Sequence, residues 1–337
     1  MIVSLSSGII GEQSVKHELD IGLRRLKEYG VSVEFAHNAL KGIDYLKRHP
    51  EKRAEDLLSA LEDYSADMIL CAIGGDDTYR LLPFLFDGNR LQRAVANKIF
   101  LGFSDTTINH FMLHKAGLNT FYGQALLSDI CELDTRMLPY TEKYFKQLLT
   151  TGYISKITPS DIWYESRTAY DESAVGTPLR QHPDRGFELL QGSPRFCGRI
   201  LGGCIDSIYD MFNNERYGDS VSMCSAYGLF PETEAWRGRI LLLETSEEKP
   251  APEQYRRMLK ALRDTGIFEV LNGVLAGKPM DEAYYEEYKS ILIEEIARPQ
   301  LPVLYNINVG HAVPRCIIPF GVPAFADAEK QEITFEV

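Results

Sequence analysis

The sequence predicts an α/β protein, with a Rossmann-like parallel-sheet N-terminal domain and a mixed β/α C-terminal domain. Three observations carry that expectation. Short apolar runs alternate with amphipathic stretches over roughly the first 130 residues, the pattern of a doubly wound sheet. Met68-Ile-Leu-Cys-Ala-Ile73 is apolar throughout, as a strand covered on both faces must be. A second set of such runs begins at Gly186, after a long stretch with little periodicity.

In chain order, residues 2–6 read as a first strand, and Val15, Leu19, Leu23 and Leu26 mark an amphipathic helix that Gly30 stops. Val31-Ser-Val-Glu-Phe35 alternates as a second strand. Pro50 opens a helix whose buried stripe is Leu57, Leu58, Leu61 and Tyr64. Gly74-Gly75-Asp76-Asp77 then turns the 68–73 strand into a helix carrying Leu81, Leu82 and Leu85. An apolar run over 98–103 ends at Ser104-Asp105-Thr106-Thr107, where Ile108, Phe111 and Met112 begin another helix; Phe121-Tyr122 closes a short strand. These features define a nucleophile domain over 1–154. Residues 155–185, rich in turn chemistry, form a linker or substrate loop holding Trp163, Tyr164 and Tyr170.

The domain over 186–337 repeats the alternation. Strands are expected at 187–190, 198–201, 239–243, 270–275 and 302–307. Gly202-Gly203 leads into an apolar segment with Ile205, Ile208 and Met211, and helices follow from Pro252 and over 282–298.

Composition narrows the function. The 337 residues are 45% hydrophobic and 25% charged, ordinary for a globular protein. A formal charge of −12 disfavours nucleic-acid and anionic-membrane partners, because either repels the average surface. No apolar run reaches eighteen residues, and the N-terminus reads as a strand, not a signal peptide. The six cysteines form no C-x-x-C pair and are expected as reduced residues of a cytoplasmic protein.

Three chemically capable residues each stand just past an apolar strand: Ser104, Glu244 and His311. A serine hydroxyl needs an imidazole to take its proton, and the imidazole needs an acid to fix its tautomer. Each residue also has a plain reading: Ser104 as a helix N-cap, Glu244 as a solvated strand end with Glu247 and Glu248 nearby, His311 as a loop histidine. His110 and His114 share a helix face, but they lack the Glu of H-E-x-x-H and a third ligand, so no metal or cofactor is expected. Gly74-Gly75-Asp76 could instead present amides to a phosphate, which makes a nucleotide-binding kinase the rival. Asp77 at the fourth position crowds such a phosphate.

The ordered motifs Ala72-Ile-Gly-Gly-Asp-Asp77, Gly102-Phe-Ser-Asp-Thr106, Gly198-Arg-Ile-Leu-Gly-Gly-Cys204, Leu243-Glu-Thr-Ser-Glu-Glu248 and Asn308-Val-Gly-His-Ala-Val-Pro314 resemble the LD-carboxypeptidase family of serine peptidases. The likeness is greatest to its microcin C immunity (MccF-like) branch. That resemblance implies a Ser104–Glu244–His311 triad at the interface of the two domains, with oxyanion donors at Gly75 and Asp105. It implies cleavage of an amide near a free carboxylate, in a peptidyl- or aminoacyl-nucleotide or in the L,D-peptide bonds of muropeptides. Substrate contacts are expected from Gly74, Asp76, Gly203 and either Trp163 or Tyr170, the aromatic candidates to stack on a nucleobase. The resemblance also implies a homodimer.

Overall fold

The computed structural model describes residues 1–336. Its first half runs β1 (Ile2–Val3), α1 (Lys16–Glu28), α2 (Ile43–Arg48), α3 (Pro50–Glu62), β2 (Met68–Cys71), α4 (Leu82–Phe86), α5 (Arg90–Ala94), β3 (Ile99–Gly102), α6 (Thr107–Lys115), β4 (Phe121–Tyr122) and α7 (Pro139–Thr151). Strands β1 to β4 lie side by side and parallel. The expected strand at 31–35 makes only one parallel bridge, Ile2 to Phe35, along the free edge of β1. Half-exposed on that edge, its valines have no second sheet face to fill. Its place still matters. The spatial order is 31–35, β1, β2, β3, β4, so the chain reverses direction of growth between β1 and β2. In such sheets the crevice at that reversal, past the carboxyl ends of the strands, is where ligands bind. Tyr64, expected in the buried stripe of α3, is fully exposed, because the helix ends at Glu62.

The second half contains β5 (Lys156–Ile157), β6 (Ile162–Tyr164), β7 (Gln181–Pro183), β8 (Glu188–Gln191), β9 (Arg195–Cys204), α8 (Ile205–Tyr209), α9 (Ser220–Ala226), β10 (Ile240–Glu244), α10 (Pro252–Asp264), β11 (Gly273–Gly277), α11 (Tyr285–Ile296), β12 (Val303–Ile307), β13 (Ile318–Pro319), β14 (Pro323–Asp327) and β15 (Glu332–Phe335). An eight-stranded sheet forms in the order β5-β15-β14-β9-β10-β11-β12-β8. Its centre, β9 to β12, is parallel, and its flanks are antiparallel. Ile240 to Leu243 are almost completely buried. Burial of each such side chain stabilises by about 1.5–3 kcal/mol, so the acid at the end of β10 stands on a rigid base.

Segment 155–185 is more than a linker. Strand β5 joins the large sheet beside β15, and β6 pairs with β7 as a hairpin. Tyr164 in that hairpin bridges Val313, which draws the segment over the loop that carries His311. The chain also returns from the second half to the first: β13 pairs antiparallel with β4. Gly202-Gly203 lies within β9, which runs directly into α8 and its buried Ile205 and Ile208. No helix among the described residues is long and apolar enough to cross a membrane.

Candidate active site

Ser104 sits at a strained corner. Phe103 is extended, Ser104 has φ 65°, and the chain then enters α6 through a short helical turn. A left-handed φ costs a β-carbon-bearing residue on the order of 1–2 kcal/mol and survives only where the surroundings over-determine it. The N-cap reading fails here, because the Ser104 hydroxyl makes no capping bond. Thr106 Oγ1 instead donates to the Phe103 carbonyl at 2.7 Å. The Ser104 Oγ lies 3.0 Å from His311 Nε2.

The corner is fixed from below by Asp105. Its buried carboxylate accepts bonds from Ser6 Oγ (2.7 Å), Thr78 Oγ1 (2.5 Å) and the Thr78 amide (3.2 Å). One carboxylate thus joins the loops that follow β1, β2 and β3. Burial raises its pKa, against the pull of those bonds. Gly74 packs behind the serine: a β-carbon there would lie 2.5 Å from Ser104 Cβ and 3.2 Å from the Asp105 amide nitrogen. The Gly-Gly turn is therefore filled by the serine corner, and not left open as a phosphate cradle.

Glu244 and His311 come from the second sheet. The His311 Nδ1–H donates to Glu244 Oε2 at 2.8 Å, and the His311 backbone amide donates to the same oxygen at 3.2 Å. Both residues are buried. Tyr122 completes the acid's shell by donating its hydroxyl to Glu244 Oε1 at 2.6 Å, while the Ser104 amide donates to the Tyr122 oxygen at 3.3 Å. Tyr122 so ties the serine corner to the acid across the two sheets. In the sequence Tyr122 lies in Phe121-Tyr-Gly123, a short strand that belongs to the family resemblance, and nothing there gives its hydroxyl a role. A hydrogen bond to a charged group is worth about 1.5–3 kcal/mol, so Tyr122→Phe should lower kcat roughly tenfold to a hundredfold while the ring keeps the fold packed. Steady-state kinetics beside a thermal melt measures both.

A second carboxylate reaches the same imidazole. Glu247 Oε2 lies 2.9 Å from His311 Nε2, the nitrogen that faces Ser104. Burial opposes a charged His311, but Glu244 and then Glu247 outweigh it, and the pKa rises above its ordinary 6.5. Reciprocally, the bond to His311 pushes Glu247 down to about 2. A base must be neutral to accept a proton. Because the pKa is raised, kcat/KM should climb with pH on the alkaline side of neutrality, not level off near 6.5; a pH–rate profile tests this.

Sequence comparisons match this arrangement to one family. Residues 1–123 match the LD-carboxypeptidase N-terminal domain, and residues 197–325 match the LD-carboxypeptidase C-terminal domain. The chain belongs to the LD-carboxypeptidase family. It is 59% identical to an MccF-like protein from Streptococcus pneumoniae solved in complex with AMP, with a TM-score of 0.98 over 99% of this chain and 97% of that one. It is 26% identical to the microcin C7 self-immunity protein MccF of Escherichia coli, over 84% of this chain and 78% of the relative. A structure of MccF with aspartyl sulfamoyl adenosine, 22% identical, shares the fold with a TM-score of 0.79 over 100% of this chain and 95% of that one.

In this LD-carboxypeptidase chain, the substrate-contact candidates separate. Tyr170, half-exposed, lines a cavity of about 380 Å³ that also holds Ile73, next to Gly74, and Val313, two residues past His311. Arg315 and Arg167 add positive charge to its wall, facing Asp129 and Glu132. Trp163 does not line this cavity. It is buried in β6, stacked on His182 at 4.4 Å with Lys278 over its ring. Gly203 lies against the serine helix: a β-carbon there would meet Thr107 Oγ1 at 2.6 Å, and Thr107 Oγ1 accepts the Cys204 amide at 3.0 Å. Its place is the seam between the sheets. Asp76 is half-exposed and held by Arg216 and by the Tyr217 hydroxyl.

His110 and His114, the pair on one helix face, are explained by burial. His110 is buried between Thr120 Oγ1 (2.7 Å) and the Gly102 carbonyl (3.1 Å), and burial lowers its pKa to about 3. His114 is lowered to about 4 by burial. Among the described residues Cys204, Glu244 and His311 are close enough to share a metal ion. Burial drives the Cys204 thiol pKa well up, which keeps it protonated and a poor ligand.

Proposed function

We propose that this chain is a serine hydrolase of amide bonds in which Ser104 is the nucleophile, His311 the general base and Glu244 the acid that orients it. The observation that carries the reading is the continuous line from Ser104 Oγ to His311 Nε2 and from His311 Nδ1 to Glu244, assembled from both sheets around a serine at φ 65°. In that line His311 Nε2 takes the serine proton as Oγ adds to the substrate carbonyl. Glu244 stabilises the imidazolium, which then gives its proton to the leaving nitrogen. Water, deprotonated by the same nitrogen, releases the acyl group. The amides of Gly75 and Asp105 are the oxyanion donors in this reading, supported by the room that Gly74, having no side chain, leaves beside Ser104 Oγ and the Asp105 amide.

For the substrate, we infer an aminoacyl- or peptidyl-nucleotide. A cavity of about 380 Å³ with a largely apolar wall that includes Tyr170 suits an aromatic base; its two arginines are already paired with Asp129 and Glu132. The Streptococcus pneumoniae relative, solved with AMP, supports the same choice. The purified protein should be offered aminoacyl-adenosine phosphoramidates beside muramyl tetrapeptides ending in D-Ala. Release of the nucleotide amide at a kcat/KM well above that for D-Ala release is expected. D-Ala release alone would overturn the nucleotide assignment and leave the serine assignment standing.

A further inference from the structure

His311 Nε2 has two claimants. It lies 3.0 Å from Ser104 Oγ and 2.9 Å from Glu247 Oε2. A protonated Nε2 carries a single hydrogen, which satisfies the carboxylate. A neutral Nε2 presents a lone pair, which the carboxylate repels and the serine hydroxyl needs. With Glu247 in this position the imidazole is held in its charged form and cannot take the serine proton. Something must draw Glu247 aside when substrate arrives, and the Glu247 side chain, 58% exposed, is free to swing.

Among the described residues, the cations beside Glu247 are held by other carboxylates. Arg216 is held by Asp76 and lies 3.6 Å from Asp210, and Lys249 bonds Asp281 at 2.5 Å. Around the imidazole and Glu247 stand Glu244 at the end of β10, the Cys204 thiol at the end of β9, Asp206 at the start of α8 beneath the Ser246 amide, Arg216 between α8 and α9, and Arg315 on the carbonyl of His311. This side of the site has a surplus of carboxylates. The acyl carbonyl of a substrate must sit on Ser104 Oγ, and the amino nitrogen of an aminoacyl group is separated from that carbonyl by a single carbon. It therefore arrives within reach of Glu247.

We propose that Glu247 is the residue that recognises the free ammonium of the substrate's acyl group, and that this recognition frees His311. The ammonium takes the carboxylate, the Nε2 proton passes to bulk water, and the neutral imidazole turns its lone pair to Ser104. The chain thereby selects acyl residues with an unblocked amino group and keeps its base unavailable without one. The proposal rests on the serine-hydrolase reading and goes beyond it.

Two measurements on wild type and Glu247→Gln test it. The first is kcat/KM for the p-nitrophenyl esters of alanine and of propionic acid, which differ only by the ammonium. The preference for the alanyl ester should be at least about tenfold greater in wild type than in Glu247→Gln, a ratio from which the intrinsic reactivity of the two esters cancels. The second is the pH dependence of fluorophosphonate labelling of Ser104, which needs no substrate. Its midpoint should fall to lower pH in Glu247→Gln, a shift that a merely structural role would not produce. Labelling with an unmoved midpoint and an unchanged ester preference would overturn the proposal and leave the serine assignment intact. Wild type that fails to label at all would overturn both.

Discussion

Ser104→Ala is expected to lower kcat by about 10⁴- to 10⁶-fold while the protein stays folded, as removal of a triad serine does elsewhere. The separation of the two effects follows from the corner. The Ser104 hydroxyl makes no bond to the turn it begins, so its loss leaves no cap unfilled. The backbone at φ 65° is kept by the Ser104 amide on Tyr122 and by the Asp105 carboxylate beneath it, and alanine inherits both. The melt should therefore move by only a degree or so, within the roughly 0.5 kcal/mol range of a neutral change. A large loss of stability together with activity would mean that the serine serves the fold. A small loss of activity would remove it from the chemistry.

The second large effect is expected from Gly74→Ala, a residue that does no chemistry. An added methyl would lie 2.5 Å from Ser104 Cβ and 2.6 Å from Ser104 Oγ, closer than side-chain atoms approach. Either the Gly74 turn or the Ser104 corner must shift, and a shift of the corner changes the distance from Oγ to His311 Nε2. Misplacing a reacting group by about 1 Å costs on the order of 10²-fold in rate, and overpacking costs about 1–3 kcal/mol in stability. Gly218→Ala is the control, because its added methyl meets nothing within 4 Å. A Gly74→Ala protein with wild-type kcat would show that the serine does not need its present position.

The parts of the site that the sequence revealed share a physical feature. Ser104 and His311 follow buried apolar strands and Glu244 ends one, and continuous apolar runs of that kind stand out in a sequence. Alternating strands and helices gave the layered architecture for the same reason. What could not be read depends on contacts between distant segments. Tyr122 matters because β4 runs beside β3 and faces the end of β10, a juxtaposition that no local pattern encodes. Glu247 was visible only as one of two similar glutamates after β10; its distance to His311 distinguishes it. Trp163 had the right residue type for stacking on a base, but the β6–β7 hairpin turns it onto His182. For the 31–35 segment and Tyr64 the pattern outruns the element: the first keeps a single bridge at the sheet's edge, and the second lies beyond the helix that ends at Glu62.

The most direct test of the central claim is covalent labelling with a fluorophosphonate, followed by peptide mass spectrometry on wild type, Ser104→Ala and His311→Gln. The account predicts a single modified residue, Ser104, in the wild type, no label in Ser104→Ala, and labelling slowed by orders of magnitude in His311→Gln. Equal labelling of wild type and Ser104→Ala, or a label carried by any other serine, would contradict it.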